Sequence, residues 1–127
     1  MNQIPSQKKG IARLWAALLY SLNGLKYAVT RETAFMQETC IYVVLLVVLY
    51  YMPLSITFKC MLFFANTLVL LVELLNSSIE SAVDMASPEY NDLAKRAKDL
   101  GSAAVLVSII LAVVLWTCAV VLVMQGA

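Results

Sequence analysis

The sequence predicts an all-α membrane protein in which three transmembrane helices follow an amphipathic helix lying on the membrane surface. Of its 127 residues 62% are hydrophobic and 13% charged, and the mean hydropathy is +0.85, outside the range of a soluble domain. Three long apolar stretches are separated by Pro53 and by Ser87-Pro88. The last of them, residues 103–124, carries no charge across 22 positions, enough for the roughly 20 residues that cross a hydrocarbon core.

Residues 1–9 are polar, include Pro5 and suit a tail or a short lead-in. Over residues 10–28, Ile11, Leu14, Trp15, Leu18, Leu22 and Leu25 recur at spacings of three and four, opposite Arg13, Ser21 and Lys26. A chain this short offers little protein core to such a face, so its expected partner is the membrane interface, with Trp15 and Tyr20 at headgroup level. Because Arg13, Ser21, Asn23 and Lys26 interrupt the apolar run, it lacks the core of a signal peptide, and no cleavage is expected. The first span is placed at 34–52, ending on Tyr50 and Tyr51 before Pro53. The second, 55–86, starts apolar, turns increasingly polar and is broken by Ser87-Pro88. Residues 89–100 read as a short charged helix or loop before the third span at 103–124, all within one domain covering 1–127.

Nine basic residues against eight acidic ones give a formal charge of +1, which makes no case for a nucleic-acid partner. Their distribution says more. All the basic residues except Lys59 precede the first span or lie between the second and third. Those segments are therefore expected in the cytoplasm, with the N-terminus there and the C-terminus on the opposite side. The acidic residues fall in the same half, so chemistry is expected at that interface. With no histidine in the chain, acid–base work falls to carboxylates or lysine. Cys40, Cys60 and Cys118 stand far apart among apolar neighbours without CxxC spacing, and are expected to be buried thiols rather than metal or redox groups.

The informative stretch is Glu73-x-x-Asn76-Ser77-Ser78-Ile79-Glu80-x-x-Val83-Asp84. At ~100° per residue, Glu73, Asn76, Ser77, Glu80 and Asp84 form one polar stripe on an otherwise apolar helix. A helix beginning near Leu54 reaches Glu73 after ~28 Å of rise, close to the full hydrocarbon thickness, and Glu80 lies ~10 Å further on. A carboxylate at such a depth costs on the order of 2.5–3.5 kcal/mol and is seldom without a role. Glu73 has the depth of a base for a hydroxyl held at headgroup level. Glu80 and Glu32 could offer oxygens to a hard ion, and Lys98 could neutralise transferred phosphoryl charge. The lesser alternative is that Glu73 acts as polar glue between helices in a non-enzymatic subunit. The only glycines are Gly10, Gly24, Gly101 and Gly126, so neither a P-loop nor a Gly-rich kinase loop can be written, and the stripe alone does not identify a nucleotide.

The same stretch resembles the signature of the small bacterial membrane diacylglycerol kinases at every specified position. Two flanking blocks agree with it: Glu32-Thr33-Ala34-Phe35-Met36-Gln37-Glu38, and Ala94 to Ala104 with Lys98, Asp99, Gly101 and Ser102. The resemblance spans about residues 10–124. It implies a homotrimeric kinase of the bacterial inner membrane, with active sites between subunits, that moves the γ-phosphate of ATP to diacylglycerol in phospholipid recycling, using Mg²⁺. It further implies that Glu73 is the catalytic base supported by Asn76, and that Glu32 and Glu80 bind the metal. Arg13, Tyr20, Lys98, Asp99 and the Glu89, Tyr90, Asn91 stretch match nucleotide contacts. Arg13, Gln37, Glu38 and Ser102 match positions on the substrate side together with Glu73. Leu18, Leu22 and Arg31 depart from the family pattern near the implied lipid entrance. A related branch of this scaffold phosphorylates undecaprenol, which is the alternative acceptor; Glu38 and the Gly101-Ser102-Ala103-Ala104 block lean towards diacylglycerol.

Overall fold

Short breaks in the backbone, each with a local cause, divide the chain into helices. The computed structural model describes residues 9–126, in the order α1 (Ile11–Arg31), α2 (Thr33–Tyr51), α3 (Ile56–Ala86) and α4 (Asp92–Met124). The tail expected at 1–9 lies, except for Lys9, outside the described residues. Between α1 and α2 only Glu32 leaves helical geometry, at φ −95° and ψ 105°, which turns the chain while its N–H still bonds back to Ala28. The α2–α3 hairpin turns at Met52 and Pro53, and Ser55 caps α3 by accepting a bond from Phe58 N–H at 3.3 Å. Lys59 Nζ donates to the Tyr50 carbonyl at 3.0 Å, placing a cation on the unpaired C-terminal end of α2.

α2, α3 and α4 are each long and apolar enough to cross a membrane. With 31 and 33 residues, α3 and α4 are ~46 and ~50 Å long, so both extend well past a ~30 Å hydrocarbon core. Their antiparallel packing is the most extensive in the molecule. Its register is fixed by Trp116 against Asn66, Gly101 against Asn76, and Lys98 against Asp84. Near the hairpin end, Leu49, Leu62 and Ala119 form a small buried core flanked by Phe58, Leu115 and Trp116. On α1, Ile11, Leu14, Trp15, Leu18, Leu22 and Leu25 are exposed, so no protein core covers its apolar stripe, and only Ala16 and Ala28 are buried.

Two expectations are corrected. The charged stretch 89–100 is no separate element from Asp92 onward, because it forms the first turns of α4. Asn91 caps that helix, and the Lys95–Asp99 pair at spacing i,i+4 bridges its next turn. The three cysteines are free and exposed rather than buried. Three spans enclose very little interior, so most of their apolar surface faces outward, where hydrocarbon is a suitable neighbour for a thiol.

Candidate functional site

The polar stripe lies where α3 emerges from its apolar half, and burial fades along it. Glu73 and Asn76 are only 6% and 8% exposed, Ser77 and Glu80 are half-buried, and Asp84 is exposed. Glu73 has company from three directions. Glu80 follows it on α3, Glu32 comes from the α1–α2 break, and Glu38 from α2, each near enough for its charge to be felt at Glu73. Asn76 Nδ2 donates to Glu80 Oε1 at 3.2 Å, which fixes the Glu80 carboxylate against α3. Glu38 is half-buried, and its Oε2 has no hydrogen-bond partner among the described residues.

Other candidates have defined local partners. Lys98 pairs with Asp84 at 2.5 Å, tying the protruding ends of α3 and α4 together. Asp99 pairs with Lys95 at 2.6 Å. Asn91 Oδ1 accepts from Leu93 and Ala94 N–H at 2.8 and 3.3 Å, so that oxygen is engaged as a helix cap. The Tyr90 hydroxyl donates to Asp92 at 2.9 Å; the bond to that carboxylate holds its pKa above the usual tyrosine value. The Glu89 carbonyl accepts from the Ser87 hydroxyl at 3.2 Å. Arg13 and Tyr20 on α1, Gln37 on α2 and Ser102 on α4 are exposed and form no side-chain hydrogen bond or ion pair among the described residues. One chain thus sets Glu32, Glu38 and Glu80 within electrostatic range of Glu73, with Asn76 bonded to Glu80, and gives those four no polar side-chain partner among the described residues.

An apolar cleft of about 620 Å³ runs between α2, α3 and α4, with Glu38 among its lining and Ile41, Leu45, Leu70, Ile109 and Val113 on its walls. A second cleft of about 500 Å³, between α1 and α3, is lined by Glu32 and by Ser21, Ser77, Ser78 and Ser81. Glu38 therefore adjoins one apolar cleft and Glu32 another, whose mostly apolar wall also carries serine hydroxyls. Within the first, Trp116 Nε1–H donates to Asn66 Oδ1 at 2.9 Å, joining a half-buried indole to a buried amide that the sequence reading did not single out. Its signal was available: Asn66 precedes Glu73 by two helical turns and so shares its face.

Residues 19–120 match the family described as Prokaryotic diacylglycerol kinase. The chain belongs to this family. It is 41% identical over 107 residues to the diacylglycerol kinase of Escherichia coli (strain K12), covering 84% of this chain and 88% of that one. It is 40% identical over 114 residues to the diacylglycerol kinase of Helicobacter pylori (strain ATCC 700392 / 26695), covering 90% and 89%. With the diacylglycerol kinase of Pseudomonas aeruginosa it shares 40% identity over 107 residues, covering 84% and 87%. The chain is accordingly an enzyme, a lipid phosphotransferase of the diacylglycerol kinase type, carried by a multi-pass membrane fold. Among the described residues no three carboxylate or cysteine side chains converge as a metal cage. A nucleotide-borne Mg²⁺ takes one or two carboxylates and fills its remaining positions with phosphate oxygens and water. Glu32 and Glu80, both near Glu73 and at the polar end, have the right donor chemistry for it.

Proposed function

We propose that the chain transfers the γ-phosphoryl group of MgATP to the free hydroxyl of 1,2-diacylglycerol, giving phosphatidate and ADP, in phospholipid recycling at a bacterial cytoplasmic membrane. The observation that carries this reading is the place of Glu73: buried on α3, within electrostatic range of Glu32, Glu38 and Glu80, at the junction of apolar and polar helix surface. A lipid alcohol reaches that depth from the bilayer and a triphosphate reaches it from water. The names of the relatives support the acceptor.

Glu73 takes the proton of the acceptor hydroxyl as its oxygen attacks the γ-phosphorus. The bond from that phosphorus to the β–γ bridging oxygen breaks, and ADP leaves. Mg²⁺ on the nucleotide supplies charge neutralisation across the β- and γ-phosphates. Glu32 and Glu80 hold it, and Asn76 holds Glu80 in turn through the 3.2 Å bond. Arg13, Tyr20, Glu89, Tyr90, Asn91, Lys98 and Asp99 bind the nucleotide on the water side, which places the N-terminus in the cytoplasm and the C-terminus across the membrane. Gln37, Glu38 and Ser102, with Arg13, orient the glycerol end of the lipid, and its chains lie along the cleft below Glu38. The enzyme works as a homotrimer with its sites between subunits; in support, one chain leaves Arg13, Tyr20, Gln37 and Ser102 exposed and without a polar side-chain partner among the described residues.

The test is turnover of the purified protein in mixed micelles with labelled ATP, offering diacylglycerol or undecaprenol, with and without Mg²⁺. Phosphatidate formed only with the metal is expected. Preference for the polyprenol would overturn the acceptor assignment.

A further inference from the structure

Gly101 is a poor helix former well inside α4, nine residues past Asp92 at the start of the helix, and it is buried. It does not use glycine's left-handed freedom, since positive φ occurs only at Gly10 and Gly126 among the described glycines. What it uses is the absence of a side chain. A Cβ at residue 101 would run into Asn76 Oδ1, while its other near neighbours, Asn76 Cγ at 3.4 Å and Ile79 Cδ1 at 3.8 Å, lie at ordinary contact distance. The helical Gly24 of α1 has nothing within 4 Å of the same position, so this close approach is particular to Gly101.

The atom that fills the space is one end of a planar amide. Asn76 Oδ1 is buried without a hydrogen-bond partner among the described residues, and the other end of the same amide, Nδ2, donates to Glu80 Oε1 at 3.2 Å. The two ends turn together. A methyl group at residue 101 displaces the oxygen most easily by rotating the amide, because the helix backbone need not move, and that rotation takes Nδ2 away from Glu80. We infer that Gly101 is a positioning residue, which acts through Asn76 to hold the Glu80 carboxylate in its metal-binding orientation. The inference rests on the reading of Glu80 as a Mg²⁺ ligand.

The test measures binding of Mn²⁺, as a paramagnetic substitute for Mg²⁺, to the full-length protein with a non-hydrolysable ATP analogue, free metal being read by electron paramagnetic resonance. Gly101→Ala is expected to raise the half-saturating metal concentration about ten- to 100-fold, the usual effect of losing a group that orients a ligand. Asn76→Ala should do the same, and Gly101→Ala/Asn76→Ala should match Asn76→Ala alone, because the methyl group then has nothing to displace. Parent-like binding by Gly101→Ala overturns the inference, as does a double variant in which the two defects multiply. If Gly101→Ala does not assemble, the double variant decides. It must assemble and bind like Asn76→Ala, and its failure to assemble would mean that Gly101 serves helix packing alone. Glu80→Gln separates this inference from the reading beneath it: parent-like binding there removes the ligand assignment and the inference together, whereas a defect in Glu80→Gln without one in Gly101→Ala removes only the inference.

Discussion

Glu32 and Glu80 reach the neighbourhood of Glu73 from different parts of the chain, one from a helix break and one from the stripe itself. If both hold the nucleotide's metal, Glu32→Gln and Glu80→Gln should each raise the Mg²⁺ concentration for half-maximal turnover, and excess Mg²⁺ should restore part of the rate; a titration of rate against metal checks this. Asn66 and Trp116 make a different prediction. Their bond is part-buried beside the apolar cleft, so Asn66→Leu leaves the indole N–H unpaired and should destabilise the fold by about 0.6–1.7 kcal/mol. Asn66→Leu/Trp116→Phe should regain most of that, because removing both partners leaves no orphan donor. Unfolding of the variants in mixed detergent micelles measures both. The stripe residues were legible in the sequence because helical periodicity fixes which side chains share a face. Partners across helices were not, since the register of α3 against α4 depends on packing that no local pattern encodes: Asn66–Trp116 and Asn76–Gly101 emerge only when the two are side by side.

Helices α3 and α4 begin with side-chain caps, from Ser55 and Asn91. Asn91→Ala should cost about 1 kcal/mol and loosen the first two turns of α4, which carry Lys95, Lys98 and Asp99; amide hydrogen exchange over residues 92–99 should quicken while the apolar remainder stays protected. Ser55→Ala should act at the opposite end of the molecule and leave that exchange unchanged. The apolar stretches, Pro53 and Ser87-Pro88 made the existence of the spans legible. The start of α4 was not, because Ser87-Pro88 and a charged run look like a loop when nothing shows that Asn91 caps a helix continuing unbroken through Gly101. The cysteines were misjudged for a related reason: apolar neighbours in sequence imply burial in a soluble core, but on a membrane helix they also mark the outward face.

As a whole, the molecule is a thin assembly of long helices with a core confined to a few residues near the hairpin. Val43, Val44, Val47, Leu106, Ile110 and Val114 are exposed on α2 and α4, a surface suited to hydrocarbon or to another copy of the chain. Light scattering of the detergent-solubilised protein should give the mass of three chains, and an active monomer would contradict sites shared between subunits. The overhang of α3 and α4 beyond a ~30 Å hydrocarbon core lifts Glu80, Asp84 and Lys98 towards water while Glu73 stays near the boundary. On the proposed reading, one carboxylate, Glu73, stands between a lipid alcohol and a nucleotide. The most direct test is the rate of diacylglycerol phosphorylation by Glu73→Gln, measured with assembly and metal–nucleotide binding: a fall of about 10²–10⁴-fold with both intact is predicted, and a rate like that of the parent protein would contradict the account.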